Sequence, residues 1–309
     1  MAGRRRKKSG RRSYAWRYRG RIVACVFVEV IIICALVIMI GWNKGVKEWF
    51  EQFEQPVLKE VDISGINSPN AILMQARGGK ILGEINGEAQ IYPASMTKIM
   101  TVILGIENFD DLDEKITLTN EMFTGLYEQD ATQAGFQPGE EVRVIDLLYG
   151  AMLPSGAECC IALADTISGS EADFAELMNK KARKLGMENT NFCDSTGLHN
   201  PDHYSTVKDI AVLMKYCIKN DTFREIVETS RHSTGVTNIH PDGITYYSTM
   251  FKNLSDPTVT GGKILGGKTG YTSEAGHCLV SFAEIEGREY IFVSAGASGA
   301  DGNTIPHIQ

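Results

Sequence analysis

Residues 22–40 read IVACVFVEVIIICALVIMI, nineteen positions with a single charge, Glu29. As a helix this run is about 28 Å long, close to the thickness of a bilayer's hydrocarbon core. Residues 1–21 hold ten Lys or Arg and no Asp or Glu. Tyr14, Trp16 and Tyr18 flank the run on one side and Trp42 and Trp49 on the other, as interfacial aromatics do. The positive-inside rule then keeps the basic end in the cytoplasm and sends everything beyond Gly41 outward. A cleaved signal peptide would have a shorter apolar core and a small-x-small site; the residues after Ile40 read GWNKGVKEWF and contain none. The expectation is therefore a basic cytoplasmic tail over 1–21, an uncleaved single-pass anchor over 22–41, and an extracytoplasmic remainder at the cell membrane. Glu29 is expected to be protonated or to face another membrane helix. The rival reading, a buried core helix behind a basic nucleic-acid tail, fits the length and the aromatic flanks less well.

Beyond the tail, 21 basic residues stand against 38 acidic ones, a net of −17. That balance argues against nucleic acid as a partner. A hydrophobic content of 43% leaves ample material for a core. Seven cysteines are present; Cys25 and Cys34 lie in the membrane run, and five lie beyond it. That number is odd and no C-x-x-C pair occurs, so neither a required disulfide nor a zinc site is expected.

Residues 42–68 read as a juxtamembrane stalk and 69–309 as one compact domain. Ala71–Ala76 and Lys80–Ile85 read as strands around the turn Arg77-Gly78-Gly79. Pro93-Ala94-Ser95 opens a helix carrying Ile99, Met100, Val102, Ile103 and Ile106. Helices follow over Val144–Met152, Gly156–Ile167, Glu171–Leu185 and Thr206–Lys219, with Gly186 as a C-cap signal. Cys278–Glu284 and Tyr290–Ala295 read as strands joined across Glu286-Gly287-Arg288. Strands thus flank a helical middle, an α+β arrangement.

Ser-x-x-Lys occurs twice, at Ser95–Lys98 and Ser205–Lys208. Chance alone supplies about one or two in a chain this long, so context must separate them. Ser95 opens a helix, where backbone N–H groups are unpaired and the dipole is positive, and a spacing of three puts Lys98 on the same face. Ser205 reads instead as an N-cap of the helix led by Thr206. A serine hydroxyl is a poor nucleophile unless a base removes its proton. At the ordinary lysine pKa only about one lysine in 2500 is neutral at pH 7, so a lysine base needs desolvation or a second cation nearby. Lys268, in Gly266-Gly267-Lys268-Thr269-Gly270-Tyr271-Thr272, is a candidate, read as lying on a strand that enters a Gly-rich turn. His199 and His203 are four apart, but Pro201 prevents a regular helix and the Glu of H-E-x-x-H is missing, so a hydrogen-bonded loop is the reading there.

PASMTKIMT, then LPSGAECCIALAD, then GGKTGYTSEAGHCLV resemble, in order and spacing, the serine D-alanyl-D-alanine carboxypeptidases, the low-molecular-mass penicillin-binding proteins, with their Ser-x-x-Lys, Ser-x-Asn and Lys-Thr-Gly motifs. FAELMNKKARKLGMENTNF and STGLHNPDHYSTVKDIAVL are similar as well, so the resemblance runs from about Pro69 to Ser298. It implies the penicillin-recognising serine transferase/β-lactamase-like fold, an antiparallel sheet packed against a helical subdomain with the site between them. It also implies Ser95 as the acyl-enzyme nucleophile, Lys98 as its base and Ser155 as a proton relay to the leaving amine. Lys268, Thr269, Gly270 and Tyr271 would bind substrate: Lys268 stabilises charge and Thr269 meets the terminal carboxylate. The N–H groups of Ser95 and Tyr271 would form the oxyanion hole. The implied substrate is a peptidoglycan stem peptide ending in D-Ala-D-Ala, β-lactams are the implied inhibitors, and no metal or organic cofactor is needed.

The chain departs from this pattern in four places. Ala157 stands where the second motif ends in Asn. The stretch GASGADGNTIPHIQ lacks the Arg that family members often carry after the last strand. The family continues into a further helix where this sequence stops, so a longer C-terminus is expected. The extra β domain and C-terminal amphipathic anchor of many relatives are also missing, and the N-terminal anchor would replace the latter. A non-catalytic binder of cell-wall peptide is the alternative that Ala157 and the missing Arg favour, and intact Ser95, Lys98, Ser155 and Lys268 oppose. A β-lactamase of the same fold would need a deacylating base in an E-x-x-x-N segment, and no convincing one is found.

Overall fold

The computed structural model describes residues 60–254 and 256–299. The basic tail, the apolar run 22–40, most of the expected stalk and the stretch after Gly299 lie outside the described residues. Among the described residues no helix is long and apolar enough to cross a membrane.

The frame is a six-stranded antiparallel sheet in the order β2-β1-β10-β9-β8-β7. It comprises β1 (Asn70–Gln75), β2 (Ile81–Ile85), β7 (Thr258–Val259), β8 (Gly262–Thr272), β9 (Gly276–Ile285) and β10 (Arg288–Ala297). The first and last thirds of the domain therefore meet at β1 and β10, with Asn70 opposite Ala295. Residues 60–64, expected as stalk, run beside β2, where Val61 N donates to Leu82 O at 2.7 Å. Between the two sets of strands lie seven α-helices among the described residues: α1 (Lys98–Asn108), α2 (Val144–Met152), α3 (Ala157–Ser168), α4 (Glu171–Leu185), α5 (Val207–Cys217), α6 (Asp221–Glu228) and α7 (Thr249–Asn253). Two small hairpins, β3–β4 (Lys115–Thr117 with Glu141–Arg143) and β5–β6 (Arg231–Ser233 with Thr245–Tyr247), complete the helical side.

Local chemistry explains most of these boundaries. Ser170, Thr206 and Asn220 cap α4, α5 and α6 by accepting from Asp173 N, Asp209 N and Phe223 N, each satisfying an otherwise unpaired N–H. Gly169 and Gly186 end α3 and α4 in the left-handed region. Glu286 and Gly287 both have positive φ, the type I′ turn whose twist matches a hairpin. The hairpin strands outrun the alternating pattern in the sequence. The middle of β9 is buried on both faces, so no period of two marks its ends.

Two boundaries differ from the sequence expectation in ways that matter. The helix does not start directly at Pro93. Ala94–Thr97 forms a 3₁₀ turn first, with Ala94 at φ +48°, and α1 begins at Lys98. The N-cap of α5 is Thr206, not Ser205. Ser205 instead exchanges backbone hydrogen bonds with Ile91 in an isolated bridge. That extended pairing takes its backbone out of capping position.

α1 is the central helix, buried along Lys98–Gly105. The large apolar core joins α1, α2, α3 and α5 to the inner face of β1, β9 and β10. The 3₁₀ turn packs against β8. The first turn of α1, the start of α3 and strand β8 thus converge on one edge of the sheet.

Candidate functional site

Ser95 lies in the 3₁₀ turn and Lys98 begins α1, so the two side chains stack over one turn. Lys98 Nζ donates to Ser95 Oγ at 3.0 Å and to the carbonyl of Thr196 at 2.7 Å. Lys98 is 3% exposed. Across the cleft Lys268, 1% exposed, donates from Nζ to Ser155 Oγ at 2.9 Å and to Thr269 O at 3.0 Å. Two Ser–Lys pairs therefore face one opening. Ser155 holds φ at +73°, a strained conformation for a residue with a Cβ and one that recurs at functional sites.

The Lys-Thr-Gly segment sits within β8, which continues to Thr272 rather than entering a turn at once. At Gly270 an added Cβ would lie 2.9 Å from Ser95 N and 3.1 Å from the Ala94 side chain. Only glycine lets the strand lie this close to the turn that carries Ser95. Thr269 Oγ1 is 2.7 Å from Thr249 Oγ1 on α7. Ser95, Ser155, Thr249, Thr269, Gly270 and Tyr271 all line a single cleft of about 780 Å³. Tyr271 is 58% exposed, its ring 4.8 Å from that of His277. All seven residues singled out in the sequence are thus brought together at this cleft or directly beneath it.

Burial lowers the pKa of both lysines, and at Lys268 the charge of Lys98 lowers it further. Cys160, Asp194 and Glu158 act on Lys98 in the opposite sense. Burial pushes the Cys160 thiol itself up to about 12, so it carries no charge near neutrality.

The structure adds residues that the motifs do not reveal. Asp194–Gly197 forms a tight turn in which Asp194 Oδ1 accepts from Thr196 N, Thr196 Oγ1 and Gly197 N at 2.6–2.7 Å. Its Oδ2 is 3.1 Å from His203 Nδ1. Burial alone would raise this carboxyl; the hydrogen bonds from His203, Thr196 and Gly197 hold it at about 2. The turn is bolted to α1 by two side chains, Lys98 and Thr101, whose Oγ1 donates to Ser195 O at 2.6 Å, and His203, bonded to Asp194, has its Nε2 2.9 Å from Thr97 Oγ1 in the preceding 3₁₀ turn. Gly197, at φ +80°, has no room for a Cβ, which would overlap the Ala94 carbonyl. His203 is therefore a buttress beneath the 3₁₀ turn that carries Ser95, in keeping with the loop reading. Asp194-Ser195-Thr196-Gly197 is a recognisable turn signature, but nothing in its spacing says that the turn serves Lys98.

Ala157 is buried and does not line the cleft. Its N–H donates to Thr132 O at 2.8 Å. Glu158 points away from the opening: Oε1 accepts from Ala134 N at 2.6 Å and Gly135 N at 2.9 Å. It ties down the loop carrying Gln129, Asp130 and Thr132, which form one wall of the cleft. Ser205, the other Ser-x-x-Lys serine, is buried, with Oγ 2.8 Å from Thr190 Oγ1, and Lys208 pairs with Glu88 at the surface.

Residues 57–299 match the peptidase S11 family, D-alanyl-D-alanine carboxypeptidase. The chain is 35% identical over 233 residues to D-alanyl-D-alanine carboxypeptidase DacF of Bacillus subtilis, which covers 74% of the chain and 57% of DacF. It is 33% identical over 262 residues to DacC of Escherichia coli, covering 77% of the chain and 58% of DacC. The chain thus spans less than two thirds of the length of these relatives. Among solved structures, the Streptomyces K15 DD-transpeptidase superposes with a TM-score of 0.69 at 29% identity, over 77% of this chain and 93% of that one. The α+β fold with its antiparallel sheet and helical region is the DD-transpeptidase fold.

Proposed function

Because the chain belongs to the peptidase S11 family of D-alanyl-D-alanine carboxypeptidases, we propose that it is a membrane-anchored serine peptidase that removes the terminal D-alanine from peptidoglycan stem peptides. The observation that carries this reading is the pair of buried Ser–Lys couples, Lys98–Ser95 and Lys268–Ser155, facing one cleft.

In the proposed reaction a substrate carboxylate arrives on the Thr269 side. It favours the shared positive charge on Lys268 and leaves Lys98 neutral. Lys98 Nζ then accepts the Ser95 proton as Oγ attacks the carbonyl of the penultimate D-alanine. The N–H groups of Ser95 and Tyr271 receive the developing oxyanion, a contribution of about 3–4 kcal/mol per donor in other enzymes. The C–N bond breaks as Ser155 gives its own proton to the departing amine and takes up the one held by Lys98, which leaves Lys98 neutral again and an ester on Ser95. Water, deprotonated by Lys98, then attacks the ester carbonyl; the bond to Ser95 Oγ breaks, the proton returns from Lys98 to Oγ, and the shortened peptide leaves. β-Lactams would acylate Ser95 by the same route. The basic tail and the apolar 22–40 run support a single-pass protein with this domain outside the cytoplasmic membrane.

The test is labelling of the full-length chain in detergent with a fluorescent penicillin, alongside D-alanine release from a peptide ending in D-Ala-D-Ala. Ser95→Ala is expected to abolish both, and Ser205→Ala to keep both. Labelling that survives Ser95→Ala and disappears in Ser205→Ala would assign the nucleophile to the other Ser-x-x-Lys. A binder with little turnover is the second reading, favoured by Ala157, which brings no amide to the cleft. Rapid labelling without D-alanine release would support it.

A further inference from the structure

A peptidase that takes only the last residue must recognise a free C-terminal carboxylate, and a carboxylate is held by a cation together with hydroxyl or N–H donors. The two lysines of the centre are already engaged. Lys98 is bonded to Ser95 and Thr196, and Lys268 to Ser155 and Thr269. Among the residues lining the cleft, one further Lys or Arg is found, Lys252. It lies on α7 one turn beyond Thr249, so the two share a helix face. Thr249 Oγ1 is hydrogen-bonded to Thr269 Oγ1 at 2.7 Å. The Lys252 ammonium has no hydrogen-bond or ion-pair partner among the described residues.

The helix that carries Lys252 is anchored. Thr249 N donates to Leu153 O at 3.1 Å, Met250 is buried, and Ser248 Oγ accepts from Phe251 N. Leu153 immediately precedes Pro154 and Ser155, so α7 is tied to the segment that holds the second serine. The acidic residues lining the cleft, Asp130 and Glu274, come from other segments. Glu274 has His199 at 3.8 Å.

We infer that Lys252 binds the substrate's C-terminal carboxylate together with the Thr249–Thr269 hydroxyl pair, and that this contact sets the preference for a free C-terminus. The inference rests on the carboxypeptidase reading above and assigns its specificity to α7. Lys252 does not exchange a proton in the reaction. It orients the leaving D-alanine so that the scissile carbonyl meets Ser95 Oγ.

The experiment compares the full chain in detergent with Lys252→Ala and Lys252→Arg. The probes are an N-acylated peptide ending in D-Ala-D-Ala and the same peptide as its C-terminal amide. Each is read as a substrate and as a competitor of penicillin labelling. Loss of a charge-assisted contact should lower kcat/KM for the acid about tenfold or more, chiefly through KM. The amide, already weak with the parent chain, should lose nothing further, and Lys252→Arg should recover most of the difference. Lys252 is exposed, so folding is not at stake. Equal losses on acid and amide, no loss on the acid, or Lys252→Arg behaving as Lys252→Ala would each overturn the inference. If the parent chain itself releases no D-alanine and is not labelled, the carboxypeptidase reading fails first and this assignment falls with it.

Discussion

At the scale of single residues the centre is a problem in proton placement. Lys98 acts as a base only when neutral, and burial lowers its pKa. Burial and the neighbouring Lys98 charge lower that of Lys268. The sign for catalysis follows directly. Below the folded-state pKa Lys98 is protonated and acylation is slow; as pH rises through that value the rate climbs and then levels. Acylation by penicillin, followed from pH 5 to 10, is expected to rise with pH in this way, and Lys98→Arg, which stays protonated throughout, should abolish labelling. A flat profile in the parent chain would rule Lys98 out as the titrating base. The same depression bears on stability. Between the lowered pKa and the ordinary lysine value of about 10.4, the unfolded chain binds more protons than the folded one, so stability rises with pH across that window.

At the scale of elements the Asp194–Gly197 turn decides where Lys98 points, since Thr196 O accepts from Nζ and Asp194 holds the turn closed. The Asp194 carboxyl sits at about 2 against an ordinary 3.8. A depressed acid contributes stability that is complete above the unfolded pKa and is lost as pH falls through the folded one. The shift corresponds to roughly 2 kcal/mol at neutral pH. Asp194→Asn is therefore expected to lower the urea-unfolding free energy by about 2 kcal/mol at pH 7, with the gap closing between pH 4 and pH 2. It should also slow penicillin labelling, because the turn no longer presents the Thr196 carbonyl squarely to Lys98. A gap that does not change with pH would show that Asp194 is not the carboxylate responsible. Glu158 plays the matching part on the opposite wall, where its carboxylate gathers two backbone N–H groups of the 132–135 loop.

At the scale of the whole molecule the charge is segregated: ten cations and no acid precede the apolar run, and a net of −16 follows it. An acidic domain is not held at an anionic membrane surface by its own charge, so the apolar 22–40 run is the segment expected to keep it there. Protease added to intact spheroplasts is expected to degrade the domain beyond residue 42 and to leave a fragment of roughly 40 residues, tail plus anchor. Complete protection of the domain would refute the proposed topology. The sheet contributes to the same picture. β1 pairs with β10, at opposite ends of the domain's sequence, so the helical middle is clamped between strands and the cleft opens at the junction.

Periodicity and cap signals were enough to place the α+β class and most helix boundaries, and the family resemblance carried by three short motifs named the seven residues at the cleft. These features are local: caps, turns and a Ser-x-x-Lys spacing act within one or two turns of chain. Position in space decided the rest. Ser95 and Ser205 carry the same motif, and helix context separates them in the sequence; the pairing of Ser205 with Ile91 and the approach of β8 at Gly270 are what bury the one and set the other in the cleft. Asp194, Thr196, His203, Thr249 and Lys252 reach the centre from segments far from it in sequence. A hydrogen bond between residues 98 positions apart, such as Lys98 to Thr196, leaves no periodic trace in the chain. Even the Lys98 pKa belongs to the tertiary structure, because desolvation exists only once the helices and the sheet have closed over the ammonium.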